Sequence, residues 1–127
     1  MPARTPTTRA HVFIKVWLPL LAWMVFIFCV SSVPGRKIPT LFFYQDIAYH
    51  AAAYMVLALL FGRVLMSNGL SSGSARFILF VLIFGIVYGI IDEFHQRFVP
   101  GRQAALFDVS VDGLGSFIGS LFYRWQR

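Results

Sequence analysis

Apolar residues fall in four long runs, separated by three short stretches rich in turn residues. The first run, Val12 to Val30, has 19 residues. At a rise of 1.5 Å per residue it is long enough to cross a hydrocarbon core roughly 30 Å thick. Lys15 stands one turn inside it and can extend its ammonium to the interface. Pro19 predicts a kink, because it lacks the N–H that its position requires. SSVPGRKIPT (31–40) ends the run, and Leu41-Phe42-Phe43-Tyr44 follows as an interfacial aromatic patch. The second run extends from about Asp46 to Met66, with its apolar centre at Ala51 to Phe61 and Arg63 near its far end. SNGLSSGSAR (67–76) is a loop. The third run covers Phe77 to Ile91 and continues as a polar-ended helix to about Phe98, before a Pro100-Gly101 turn. The fourth, about Ala104 to Tyr123, is interrupted by Asp108 and Asp112, and Trp125 follows it at an interface. The pattern predicts an all-α membrane protein: a tail over 1–11, then one domain of four transmembrane helices over 12–127.

Composition agrees. The 127 residues are 58% hydrophobic and 13% charged, about half the charge of an ordinary soluble domain. The net charge of +6 does not point to nucleic acid, because the basic residues are scattered between apolar runs rather than gathered in a stripe. Cys29 is the sole cysteine, so no intrachain disulfide forms, and Phe28 stands where a lipoprotein signal needs a small residue. The first run is longer than a secretory signal core, and Val30-Ser31-Ser32 is a poor cleavage site, so it reads as a retained helix.

The basic residues instead orient the chain. Arg4, Arg9, Lys15, Arg63, Arg76, Arg124 and Arg127 fall on one side, seven positives, against Arg36, Lys37, Arg97 and Arg102, four, on the other. The positive-inside rule places both termini in the cytoplasm. All five acidic residues, Asp46, Asp92, Glu93, Asp108 and Asp112, then fall on the outer side.

Val-Pro-Gly-Arg occurs at 33–36 and again at 99–102, each time between an odd run and an even one. Two tandem helical hairpins related by a pseudo-twofold along the membrane normal would produce this. So would a good turn that arose twice. Gly85/Gly89 and Gly115/Gly119 form two GxxxG pairs, suited either to packing within the chain or to a homo-oligomer.

Three polar stripes carry the candidate chemistry. Asp46, His50 and Tyr54 repeat every four residues, Tyr88, Asp92, His95 and Gln96 share a side of the third helix, and Asp108, Asp112, Gly115 and Gly119 share a side of the fourth. An ionised group at the centre of a membrane helix costs about 2.5–3.5 kcal/mol even on low scales. Near the ends the cost is smaller, yet these carboxylates still need partners, and Arg97, Arg102 and Arg36 are available. An outward-facing cavity walled by Arg–carboxylate pairs would satisfy them. So would interhelical ties among Asp92, Asp108 and Arg102.

His50, His95, Asp92 and Asp108 are of metal-ligand type. They come from three separate helices without an HExxH, so neither a metal nor another cofactor is expected. Asp92 or Glu93 with His95 could perform acid–base work. Ser110, Ser116 and Cys29 lack the setting of a nucleophile, and Glu93 points about 100° away from Asp92 on a helix.

From Asp46 to Gly119 the chain resembles the VanZ-like family of small bacterial membrane proteins. The resemblance rests on DEFHQRFVPGR at 92–102, on Asp108 with Gly115 and Gly119, and on Asp46, His50 and Tyr54. The last three fit an Asp-Lys-x-x-His-x-x-x-Tyr pattern, in which Ile47 replaces the usual Lys; Asp112 stands where Asn is common. The resemblance implies signature positions at Asp46, His50, Tyr54, Asp92, Gln96, Arg102, Asp108 and Gly115, and an association with resistance to the glycopeptide teicoplanin. The expected protein is a multi-pass component of the bacterial inner membrane, an envelope accessory or binding protein. Its expected partners are membrane lipid and a lipid-linked or glycopeptide ligand, with no nucleic acid. Two alternatives stay open: a membrane-embedded hydrolase or transferase, and a purely structural subunit.

Overall fold

The computed structural model describes residues 8–125, which form four helices and no strand. Most of the expected tail, with Arg4, and the last two residues, with Arg127, lie outside the described residues. Helix α1 covers Arg9–Ser31, α2 Gln45–Ser67, α3 Ala75–Gln96 and α4 Leu106–Trp125. The first three are long and apolar enough to cross a membrane. Helix α4 has 20 residues and carries Asp108, Asp112 and Arg124.

Local chemistry sets the helix ends. Ser74 caps α3, its hydroxyl accepting from the Phe77 N–H at 3.2 Å. Helix α2 closes where Gly69 takes φ 89°. The Leu70 N–H then donates to the Leu65 carbonyl and the Gly69 N–H to the Met66 carbonyl, which satisfies carbonyls that the ended helix would leave bare. Pro19 does not break α1. A π-turn at Phe13–Trp17 precedes it, and the Lys15 carbonyl, which Pro19 cannot serve, accepts from Arg63 Nη2 at 3.0 Å.

Polarity is distributed inside out. Ser31, Gln45, Asp92, Glu93, Gln96, Asp112, Ser116 and Ser120 are buried, while Phe26, Val25, Ile83, Ile90, Phe117 and Phe122 are exposed. An apolar exterior over a polar interior is stable in hydrocarbon rather than in water.

Helix α4 is the central element, packing extensively on both α2 and α3. A Cβ at Gly115 would stand 2.5 Å from the Ala51 carbonyl oxygen, and one at Gly119 2.7 Å from that of Met55. On the other side of α4, a Cβ at Gly85 would overlap Ser116 Oγ and one at Gly89 would stand 2.7 Å from Asp112 Oδ2. Both GxxxG pairs therefore pack against helices of the same chain.

Helix α1 lies at the periphery against α2 and α3. Trp23 Nε1 donates to the Ala53 carbonyl at 2.9 Å, and the Tyr88 hydroxyl donates to that of Met24. The two Val-Pro-Gly-Arg turns meet: the Gly35 N–H donates to the Pro100 carbonyl at 3.0 Å, and a Cβ at Gly35 would overlap the Gly101 carbonyl. The hairpins nevertheless pack unequally, since α3 lies tight on α4 whereas α1 stands off from α2 and leaves a cleft.

Gly115→Leu should force α4 away from Ala51 and lower stability by about 3 kcal/mol, near the upper end for overpacking. Gly113→Ala, where a Cβ first meets Ile86 at 3.4 Å, should change little. Thermal unfolding in detergent compares the two.

Candidate functional site

The carboxyl ends of α1 and α3 and the amino ends of α2 and α4 meet at one end of the bundle. There a cleft of about 560 Å³ opens between α1, α2 and α3. Its walls are mainly apolar, with Trp23, Phe26 and Ile27 on α1 facing Ala52, Ala53 and Val56 on α2. Its polar lining comes from Ser31, Lys37, Asp46, His50, Tyr54, Asp92, Gln96 and Arg102.

The polar groups stand on the stripes that the spacing predicts. Asp46 is exposed at the rim, His50 half-buried one turn deeper, and Tyr54 buried another turn in. On α3, Gln96 Nε2 donates to Ser31 Oγ at 3.3 Å and to Asp92 Oδ2 at 3.4 Å. Gln45 seals the loop beside the rim: its Nε2 donates to the Pro39 carbonyl and its Oε1 accepts from the Leu41 N–H. Tyr44, at φ 61°, turns the chain into α2 and leaves Phe43 and Tyr44 fully outside.

Arginine does not neutralise these carboxylates. Arg102 Nε donates to the Val33 carbonyl at 3.0 Å and Nη2 to that of Val30 at 2.8 Å. The expected Arg102–Asp108 tie is therefore absent, because the turn at 99–102 aims the guanidinium at one carbonyl in the last turn of α1 and one just beyond it. The Val30 carbonyl also accepts from the Val33 N–H at 3.2 Å, so Arg102 adds a second donor at this helix end. Among the described residues the single ion pair is His50 with Asp112, Nδ1 donating to Oδ1 at 2.8 Å. Asp112 is wholly buried, lying behind His50 as seen from the cleft. Asp108 is half-buried one turn earlier on α4, outside the cleft lining.

His95 stands apart from the carboxylates. Its ring stacks on Phe28 with centroids 4.3 Å apart, and Nε2 lies 2.8 Å from Ser32 Oγ. Ser32 already donates its proton to the Phe28 carbonyl, so Nε2–H is the donor to Ser32. Spacing therefore brings Asp46, His50, Tyr54, Asp92, Gln96 and Arg102 to one cleft, with Asp112 behind them. It does not bring His95 or Asp108.

Glu93 is the residue that spacing undervalued. Its 100° offset from Asp92 is real, but α3 has neighbours on both sides. Asp92 faces Ser31 and α1; Glu93 faces α4, and its Oε2 accepts from the N–H of Ala105, the residue just before that helix, at 2.9 Å. The signal is Gly85-Gly89-Glu93 at four-residue intervals, one stripe whose glycines face α4. Glu93 joins His50 and Asp112 in a cluster whose ligand-type atoms all lie within 4.8 Å of one another. The residues earlier named as metal-ligand types, His50, His95, Asp92 and Asp108, do not assemble as a set.

Apolar helices long enough to cross a bilayer, with carboxylates inside and hydrocarbon outside, define an all-helical membrane protein. Residues 16–127 match the family model described as VanZ/LLP1, and the chain belongs to that family. No curated protein and no solved structure matches it.

His50→Ala should cost about 3–5 kcal/mol, since it strands the buried Asp112 carboxylate. The double variant His50→Ala/Asp112→Ala should be the more stable of the two. Chemical unfolding in detergent measures the difference.

Proposed function

We propose that the chain crosses the bacterial inner membrane four times, with both termini in the cytoplasm. In this reading the cleft at the outer end binds an amphipathic envelope ligand, one with an acyl chain joined to an anionic head. A lipid headgroup, a lipid-linked wall precursor and a lipoglycopeptide share that chemistry. The observation that carries the reading is a single cleft with aromatic and alanine walls running to a hydrogen-bonding rim that carries Lys37 and Arg102 beside Asp46.

Helix α4 supports the fourth crossing, because Leu114, Phe117, Ile118, Leu121 and Phe122 turn outward and its polar residues inward. The surplus of positive residues at the other end of the bundle supports the orientation. The exposed Leu41-Phe42-Phe43-Tyr44 segment suits the outer interface beside the cleft mouth.

At the rim, Lys37 makes no ion pair among the described residues. Arg102 spends two of its N–H groups on carbonyls, and three more remain for an incoming anion. Trp23, Phe26 and Ile27 would hold the acyl chain against Ala52 and Val56. Such a protein binds and presents its ligand.

Purified protein with Trp17→Phe and Trp125→Phe retains Trp23 as reporter. An anionic lipid with a brominated acyl chain should quench it more strongly than a neutral one. Ala52→Phe should remove the quenching, and Lys37→Gln should weaken the preference for the anionic head several-fold. Equal quenching in wild type and Ala52→Phe would count against the cleft. For topology, Phe43→Cys in a Cys29→Ser background should react with an impermeant maleimide on intact spheroplasts, and Ser71→Cys only after lysis.

A further inference from the structure

Behind the cleft wall the three packed helices each send one ligand-type side chain to a common point: His50 from α2, Glu93 from α3 and Asp112 from α4. We propose that these residues form a site for one first-row divalent cation of the Mn²⁺ or Zn²⁺ class.

Geometry brings the donors together. Donor atoms bound at 2.0–2.2 Å around a tetrahedral ion stand about 3.3–3.6 Å from one another. The cluster, within 4.8 Å, needs to contract by at most about 1.5 Å, which side-chain rotation can supply. One imidazole nitrogen with two carboxylates is a donor set that suits Mn²⁺ and Zn²⁺.

The second observation is what the cluster leaves unsatisfied. Asp112 is fully buried and Glu93 is 6% exposed, yet Asp112 Oδ2 and Glu93 Oε1 have no hydrogen-bond partner among the described residues. Asp112 Oδ2 projects over Gly89, where a Cβ would come within 2.7 Å of it. It therefore points at the face of α3 on which Glu93 stands one turn later. Two more buried oxygens, Tyr54 Oη and Ser116 Oγ, are also unpartnered, each one turn beyond a cluster residue on its own helix. Buried polar atoms ordinarily have partners, and a lone carboxylate in this setting is costly.

The charge count points the same way. Two buried carboxylates face one histidine, with Asp108 within electrostatic range of all three and Arg102 turned away toward α1. A divalent cation supplies the missing positive charge. It would also bind α2, α3 and α4 together directly behind the cleft, with His50 common to both.

Protein prepared without a polyhistidine tag, stripped with EDTA in detergent, is titrated with Mn²⁺ and Zn²⁺. One equivalent should bind per chain, and pulsed EPR of the Mn²⁺ form should show coupling to one imidazole nitrogen. Asp112→Asn and Glu93→Gln should each weaken binding at least tenfold, and His50→Ala should remove the nitrogen coupling. His11→Ala should change neither. No stoichiometric binding by the wild-type protein, bound Mn²⁺ without nitrogen coupling, or undiminished affinity in both carboxamide variants would overturn the site. The wild-type spectrum decides even if a variant does not fold, and the result is independent of lipid binding in the cleft.

Discussion

Helix α4 lies closer to its neighbours than side chains would allow, and the bundle depends on that approach. In hydrocarbon, helices gain nothing from hiding apolar surface, so they must be held by close packing and by polar contacts. Gly115 and Gly119 place α4 against the backbone carbonyls of α2, while Gly85 and Gly89 let Ser116 and Asp112 sink into α3. A central helix of small and polar residues can then carry Asp112 to full burial. Only at that depth does Asp112 reach both His50 and the Glu93 side of α3.

The same packing explains where the cleft lies. Helix α1 has no glycine stripe and joins the others through longer reaches, the Trp23 and Tyr88 bonds to main-chain carbonyls. Aromatic spacers hold a helix at a distance, and the intervening volume becomes the cleft. One end of the bundle thus combines a tightly packed polar cluster with an open, largely apolar groove. His50 belongs to both.

The paired turns give a second view of the repeat. Gly35 and Gly101 pack backbone to backbone, and Gly35 donates to Pro100, which is what related hairpins would do near a common axis. The asymmetry begins at once: Arg102 reaches back to cap α1, whereas Arg36 is exposed in a short 3₁₀ turn. Whatever the origin of the two copies, only the second serves as a cap. That use of Arg102 displaces the pairing with Asp108 that charge alone would suggest.

Much of this molecule was legible in one dimension. Apolar runs longer than a soluble helix needs define the helices to within a few residues, because a bilayer sets a minimum length. Four-residue spacing placed Asp46, His50, Tyr54, Asp92 and Gln96 on shared faces, because helix geometry does so wherever the helix ends up. Periodicity does not say which neighbour a face meets. Whether Arg102 would take a carboxylate or a carbonyl, whether Glu93 or Asp92 would face α4, and which helices the glycines would meet all turned on interhelical packing. Those choices rest on contacts between residues tens of positions apart, and only the tertiary structure makes them.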